Sequence, residues 1–218
     1  MQKIFHIILL LLVLPLYIKA NDHLIEFWPQ FNIGQWEKDK WKLEAHIELR
    51  FTEPITRLRY FEYSEKLAYQ AFKYLNFRAG LTYITEKKFD QVKYRYNTRL
   101  EFEANPSLPL GEKTLLTLRN RLELRKFQDN NAINFRSRHR LRVAIEPSSK
   151  TTFKTISMSD EIFYDYTQDQ FVENRYIPIQ FEFEVSSELD IALYLMLKSS
   201  QATSGWSQSF IIGSNFDF

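Results

Sequence analysis

The 218-residue sequence has no cysteine and, after its first twenty residues, no long apolar run. The lack of cysteine excludes disulfide bonds and thiolate metal sites. The lack of an apolar run of about eighteen residues excludes membrane-spanning helices beyond residue 20. An excess of one charge sign is also missing from this part, because Lys3 and Lys19 account for the whole formal charge of +2. Residues 21–218 are therefore neutral overall, and we expect no nucleic acid partner.

The first twenty residues are typical of a secretory signal peptide. Lys3 gives a short basic start, an apolar run extends from residue 4 to residue 18, and Ala20 is a small residue before the expected cleavage site. The run is short for a spanning helix, and an N-terminal anchor helix is the alternative. We therefore predict a signal peptide at residues 1–20 and one mature domain at residues 21–218.

Apolar and polar residues alternate along most of the mature chain. The clearest case is residues 40–51, where Trp41, Leu43 and Ala45 begin an apolar face and charged residues occupy the other face. A period of two predicts a strand, since a helix would scatter these apolar residues around its axis. Other stretches with this pattern are residues 77–83, 93–103, 116–125, 135–145, 177–185, 189–197 and 210–218, with residues 59–71 and 153–166 less regular.

These stretches predict an all-β fold, namely a single antiparallel transmembrane β-barrel of about ten strands. Short turns alternate with longer polar loops between them, which is typical of bacterial outer-membrane barrels. Residues 24–33 would form an eleventh strand, but they contain Pro29, and a barrel with both termini in the periplasm needs an even number. Either this segment lies outside the wall or two strands have been merged elsewhere, so twelve strands are the alternative.

The final nine residues place Phe210, Ile212, Phe216 and Phe218 on one face, and the chain ends on that apolar face. This ending resembles the C-terminal signal by which outer-membrane barrels are recognised by their assembly machinery. We therefore expect that machinery and outer-membrane lipid as partners, and a location in the outer membrane of a Gram-negative cell after export. The alternative is the edge strand of a soluble sandwich.

Four short motifs extend this resemblance to most of the mature chain. They are NRLELR at residues 120–125, RSRHRLRV at residues 136–143, SDEIFYD at residues 159–165 and ENRY at residues 173–176. With them the sequence resembles an uncharacterised outer-membrane family, the domain-of-unknown-function family 2490. Two departures are the scarcity of glycine and the presence of Ile179 where similar sequences often have small residues. The resemblance implies an outer-membrane barrel and no particular activity.

The polar face of the predicted wall is rich in arginine and glutamate. Since a barrel of about ten strands is narrow, these side chains either fill the lumen with ion pairs or line a small porin-like pore that attracts anions. The candidate residues for either role are Arg95, Arg99, Glu101, Arg119, Arg121, Glu123, Arg136, Arg138, Arg140, Arg142 and Glu182.

The sequence offers little for catalysis. Ser137 and His139 share the outward face and suggest a nucleophile and base, but no flanking motif supports a lipid-modifying barrel enzyme. Asp160 and Glu161 lie on opposite faces, so they do not form a carboxylate pair. No spacing of His, Asp and Glu residues resembles a metal site, and we expect no cofactor. The predicted function is a structural or narrow-pore barrel that is not an enzyme. The alternatives are the lipid-modifying enzyme and a soluble periplasmic lipocalin-like carrier.

The four tryptophans, Trp28, Trp36, Trp41 and Trp206, are interpreted as residues of an aromatic girdle at the membrane interface rather than as a sugar-binding platform.

Overall fold

The computed structural model describes residues 25–52, 57–87, 93–130, 132–147, 153–202 and 205–218. Eleven strands of these residues form one closed barrel, which confirms the all-β barrel class. None of the described segments forms a helix with the length and apolarity needed to cross a membrane. The signal peptide predicted for residues 1–20 lies outside the described residues.

The strands are β1 (Ile25–Lys38), β2 (Trp41–Thr52), β3 (Arg57–Phe72), β4 (Leu75–Glu86), β5 (Arg95–Pro109), β6 (Thr114–Phe127), β7 (Ile133–Ile145), β8 (Phe153–Asp165), β9 (Gln170–Ser186), β10 (Leu189–Ala202) and β11 (Gly205–Asp217).

Strands that follow each other in the chain pair antiparallel, and β1 closes the barrel by pairing parallel with β11. This parallel seam aligns Ile25 with Phe210 at one end and Asn32 with Asp217 at the other. Beyond it, the Phe218 amide donates to the Asn32 carbonyl at 2.9 Å. The predicted counts of ten and twelve strands are therefore both wrong, because the segment expected outside the wall is a full strand of it.

Pro29 is accommodated at the seam, although it argued against a strand. The aligned β1–β2 pairs go from Phe27–Phe51 directly to Gln30–Glu48, so the ladder with β2 is interrupted at the proline. The parallel alignment with β11 continues through Pro29, opposite Ser214. A residue without an amide hydrogen is tolerated where a ladder is already interrupted.

The two predicted sets of connections do lie at opposite ends of the barrel. We call the end that holds Phe218 the C-terminal rim; its five connections contain two, two, four, seven and two residues. The other end, the N-terminal rim, holds Ile25 and connections of four, eight, five, four and two residues. The segregation follows from an antiparallel meander, but the difference in length is smaller than expected.

The wall has apolar side chains outside and charged side chains inside. Phe72, Leu81 and Phe102 are 71%, 62% and 47% exposed, and each of the eleven strands has at least one exposed large apolar residue. Glu101 and Glu123, in contrast, are almost fully buried on the inner face. This polarity is the reverse of that in a water-soluble domain, whose apolar side chains face inward.

Trp28 is fully buried inside the barrel, so its assignment to an interfacial girdle is wrong. Because residues 25–38 belong to the wall, Trp28, Gln30 and Asn32 point into the lumen, up to the bulge between Gly34 and Trp36. The guanidinium carbons of Arg50 and Arg175 lie 3.9 and 5.0 Å from the Trp28 ring centroid, and Lys198 Nζ lies 5.4 Å from it. The ring thus stabilises three cations that have lost water. The other three tryptophans are exposed.

A glycine makes room for a second interior aromatic residue. Tyr194 on β10 lies directly opposite Gly213 on β11, and both face the lumen. A Cβ built on Gly213 would overlap the Tyr194 ring. The absent side chain therefore lets the tyrosine lie flat across the neighbouring strand, where it packs with Trp28, Met196 and Ile211.

Candidate functional site

The centre of the lumen is occupied by a carboxylate with four guanidinium groups around it. Glu123 has no exposed surface, and its oxygens lie 2.7 Å from Arg136, 3.1 Å from Arg138, 3.6 Å from Arg99 and 3.8 Å from Arg121. These residues come from β5, β6 and β7, whose register aligns Glu123 with Arg136 and Arg121 with Arg138. One buried acid therefore links three strands, through charge-assisted hydrogen bonds from Arg136 and Arg138 and through longer ion pairs with Arg99 and Arg121.

Glu161 on β8 forms a second centre. Its carboxylate accepts from Arg138 at 3.0 Å and from Arg119 at 2.5 Å. Arg138 binds both acids, since it also donates to Glu123. A planar guanidinium with several donors suits this bridging role, which a single lysine ammonium would fill less well.

The network extends through β5 to β3. Arg121 lies 3.2 Å from Glu101 and 2.5 Å from Glu103. Arg99 lies 3.7 Å from Glu62 on β3, and Glu62 also accepts from the Tyr60 hydroxyl. The ion pairs thus form one connected set of residues from five strands, namely β3 and β5 to β8.

The structure places the eleven predicted lumen residues in four settings. The first comprises the members of the connected network, which are Arg99, Glu101, Arg119, Arg121, Glu123, Arg136 and Arg138. Arg142 and Glu182 form a separate pair at 3.5 Å. Arg95 pairs with Asp129 at the N-terminal rim, and Arg140 makes no ion pair within the described part of the chain. Whether these residues act as a network or as a pore lining stays a prediction.

Sequence reasoning missed several members of the site. Glu161 lies in β8, whose inward residues include Ser157, Ser159 and Phe163, so the charge alternation there is weak. Glu62 lies in β3, where the outward face carries Glu65. The motif SDEIFYD was the available signal for Glu161, but only the register shows which arginines reach it.

Bulky side chains fill the lumen near its middle. Phe163 is fully buried, and the guanidinium carbons of Arg138, Arg175 and Arg136 lie 4.5, 4.7 and 5.1 Å from its ring centroid. Together with Trp28 and its cations, this layer crosses the barrel from β7 to β1. At this level the side chains of these residues are therefore closely packed around two buried rings.

On the C-terminal side of that layer lies a cavity of about 390 Å³, which we call the cup. Its lining extends from Asn76 and Asp217, near the C-terminal rim, to Trp28, Glu62 and Arg138 at mid-height. The lining is strongly polar and includes eight lysine or arginine residues and six aspartate or glutamate residues. The cup thus extends towards the C-terminal rim and presents a lining that suits a polar solute.

The outward pair Ser137 and His139 has no catalytic geometry. His139 is exposed, and its Nδ1 lies 2.8 Å from Asn120 Oδ1. Ser137 is buried, and no hydrogen bond joins it to His139 among the described residues. The same residues contain no cluster of three or more His, Asp or Glu side chains able to hold a metal ion.

The four residues of the predicted assembly signal lie along the outer face of β11. Phe210 and Phe218 are 40% and 58% exposed, and Ile212 and Phe216 are half-buried. Phe216 stacks on Phe31 across the seam, with ring centroids 5.1 Å apart. Their role in assembly stays a prediction.

Comparison with the curated proteins and with the solved structures returned no match. A family model does match, over residues 25–209, which are nearly the whole barrel. This agrees with the resemblance carried by the four charged motifs. The chain belongs to the family described as "Protein of unknown function (DUF2490)".

Proposed function

We propose that this protein is an outer-membrane β-barrel of a Gram-negative cell, with a lumen closed by ion pairs instead of an open pore. The observation that carries the proposal is the reversed polarity of the wall. Fully burying one large apolar side chain stabilises a protein by roughly 1.5–3 kcal/mol, and the exposed side chains on all eleven strands forgo this in water. Hydrocarbon around the barrel would provide that burial.

The packed middle of the lumen favours a structural barrel over a narrow pore. Trp28 and Phe163 are both fully buried at this level, and arginines stack on both rings. Moving an ion through this layer would require displacing guanidinium groups from their carboxylates, which is costly in a water-poor interior.

The interior also argues against the soluble carrier. A lipocalin-like carrier holds an apolar ligand in an apolar cavity, but the cup is lined by charged groups such as Arg50, Glu62 and Arg138. The lipid-modifying enzyme lacks support as well, because His139 bonds to Asn120 and, within the described ranges, to no serine.

Cell fractionation tests the location. We expect the protein in the outer-membrane fraction, released by detergent and not by salt or carbonate. The folded barrel should also migrate differently in gels before and after heating. Recovery in the soluble periplasmic fraction without detergent would overturn the proposal.

Planar-bilayer recording tests the closed lumen. Purified barrel is inserted into the bilayer, and insertion is verified separately by co-sedimentation with vesicles of the same lipid. We expect no steady conductance steps from the inserted protein. Uniform steps with anion preference would instead favour the narrow-pore interpretation.

A further inference from the structure

Arg140 is an exception among the lumen arginines of β6 and β7. Its side chain lines the cup and makes no ion pair within the described residues. Its neighbours are engaged, because Arg119 and Arg138 bind Glu161, and Arg142 binds Glu182. A guanidinium inside a barrel normally requires a partner for its charge.

The strand register raises the electrostatic cost of leaving Arg140 without a carboxylate partner. Arg140 lies directly opposite Arg119 across the β6–β7 pair, and Arg138 and Arg142 are the next inward residues on its own strand. Like charges directly opposite each other destabilise a sheet. Arg140 also aligns with Glu161 on β8, but that carboxylate is already bound by Arg119 and Arg138. Four cations therefore meet at one place on the barrel wall, and three of them, Arg119, Arg138 and Arg140, line the cup.

A second observation concerns the donors at this place. Arg119 Nε is buried and has no hydrogen-bond partner among the described residues. Arg78, which lines the same cup from β4, also has a buried and unpartnered Nε. Unsatisfied buried donors on cationic groups are rare, and they suggest an acceptor other than this chain.

The charge and size of the cup indicate the class of that acceptor. Eight basic and six acidic residues line the cup, and Arg121 and Arg138 are further paired with Glu101 and Glu123, which lie behind the lining. Arg140 is the lining arginine without an ion pair among the described residues, so the acceptor should be an anion. Arginine forks bind tetrahedral oxyanions through paired hydrogen bonds. A volume of about 390 Å³ is at the small end of the range for ligand pockets, so the solute is small.

We propose that the cup binds a small solute through a phosphate group, held mainly by Arg140 and Arg119, and that the solute enters from the C-terminal rim. The site lies entirely inside the barrel, so it does not depend on where the barrel resides. It also requires no open lumen, because the cup ends at the packed middle.

Isothermal titration of the folded full barrel in detergent tests this proposal. The probes are inorganic phosphate, glycerol 3-phosphate as a phosphate monoester, and glycerol as the uncharged comparison. We expect both phosphates to bind, more weakly as salt is added, and glycerol not to bind. Tighter binding of the monoester would support a phosphorylated solute, and tighter binding of inorganic phosphate would support the free anion. The absence of binding by either at millimolar concentration would overturn the site.

The variant Arg140→Gln locates the site, and Arg95→Gln is the matched control at the opposite rim. Arg140→Gln should weaken phosphate binding at least about tenfold, because it removes a charged fork, and Arg95→Gln should leave it unchanged. Phosphate should also protect the wild-type barrel from denaturant, and protect Arg140→Gln much less. Since Arg140 binds no carboxylate, its loss should not impair folding. Equal phosphate binding by Arg140→Gln and wild type would refute the proposal.

Discussion

Glu123→Gln is the sharpest test of the idea that ion pairs hold the barrel wall together. The substitution keeps the size of the side chain and removes the charge that faces Arg136 at 2.7 Å and Arg138 at 3.1 Å. Arg136 then loses its only ion pair among the described residues, and Arg138 keeps Glu161. Removing one partner of a buried pair costs about 3–5 kcal/mol, so the free energy of unfolding should fall by that amount.

The measurement is denaturant unfolding of the folded barrel in detergent or vesicles, followed by tryptophan fluorescence, to which the buried Trp28 contributes. The control is Asp129→Asn, which breaks the Arg95 pair at the N-terminal rim, where Asp129 is 57% exposed. Exposed pairs contribute at most about 1 kcal/mol, so the control should change little. If Glu123→Gln cost no more than the control, the central network would not stabilise the wall.

Three further predictions concern the seam and the interior aromatic residues. Gly213→Ala should lower the yield of folded barrel because its Cβ overlaps Tyr194, and adding Tyr194→Ala should restore the yield; failure of this rescue would contradict the packing. Trp28→Leu should lower the free energy of unfolding by about 3 kcal/mol, because it removes a fully buried ring on which Arg50 stacks. A decrease below about 1 kcal/mol in denaturant unfolding would contradict this. Phe218→Ala should reduce assembly of the barrel in cells, measured by heat-modifiable migration in gels. It should not reduce refolding in detergent, because Phe218 is joined to β1 by backbone hydrogen bonds that alanine keeps. Equal loss in both assays would refute a role of Phe218 as an assembly signal.

The strands and their inward faces could be predicted from the sequence because the evidence for them is local. Apolar and polar residues such as Leu43 and Glu44 alternate with a period of two, and a barrel wall imposes that period wherever its outer and inner faces have different surroundings. The alternation is a poor guide where inward and outward residues do not differ clearly in polarity. In β8 the inward Ser157 and the outward Asp160 blur it, and Glu161 was missed for this reason.

The strand count and the pairing of charges could not be predicted, because both depend on contacts distant in sequence. Pro29 argued against a strand in the wall, and this was wrong, because the sequence could not show that the β1–β2 ladder is interrupted at the proline while β11 continues the wall beside it. Likewise, the position of Trp28 follows from the closure of the barrel, since aromatic residues suit either the lumen or an interface. Which arginine reaches Glu123 is determined by the register of three strands.

The parallel seam also has a consequence for the order of folding. Every other neighbouring pair is a hairpin whose strands meet through a short connection, whereas the seam joins residues such as Asn32 and Asp217, which are 185 positions apart. Closing so long a loop is entropically the most expensive contact in the barrel. The hairpins should therefore form a curled open sheet first, and β1 and β11 should pair only after both strands have been synthesised.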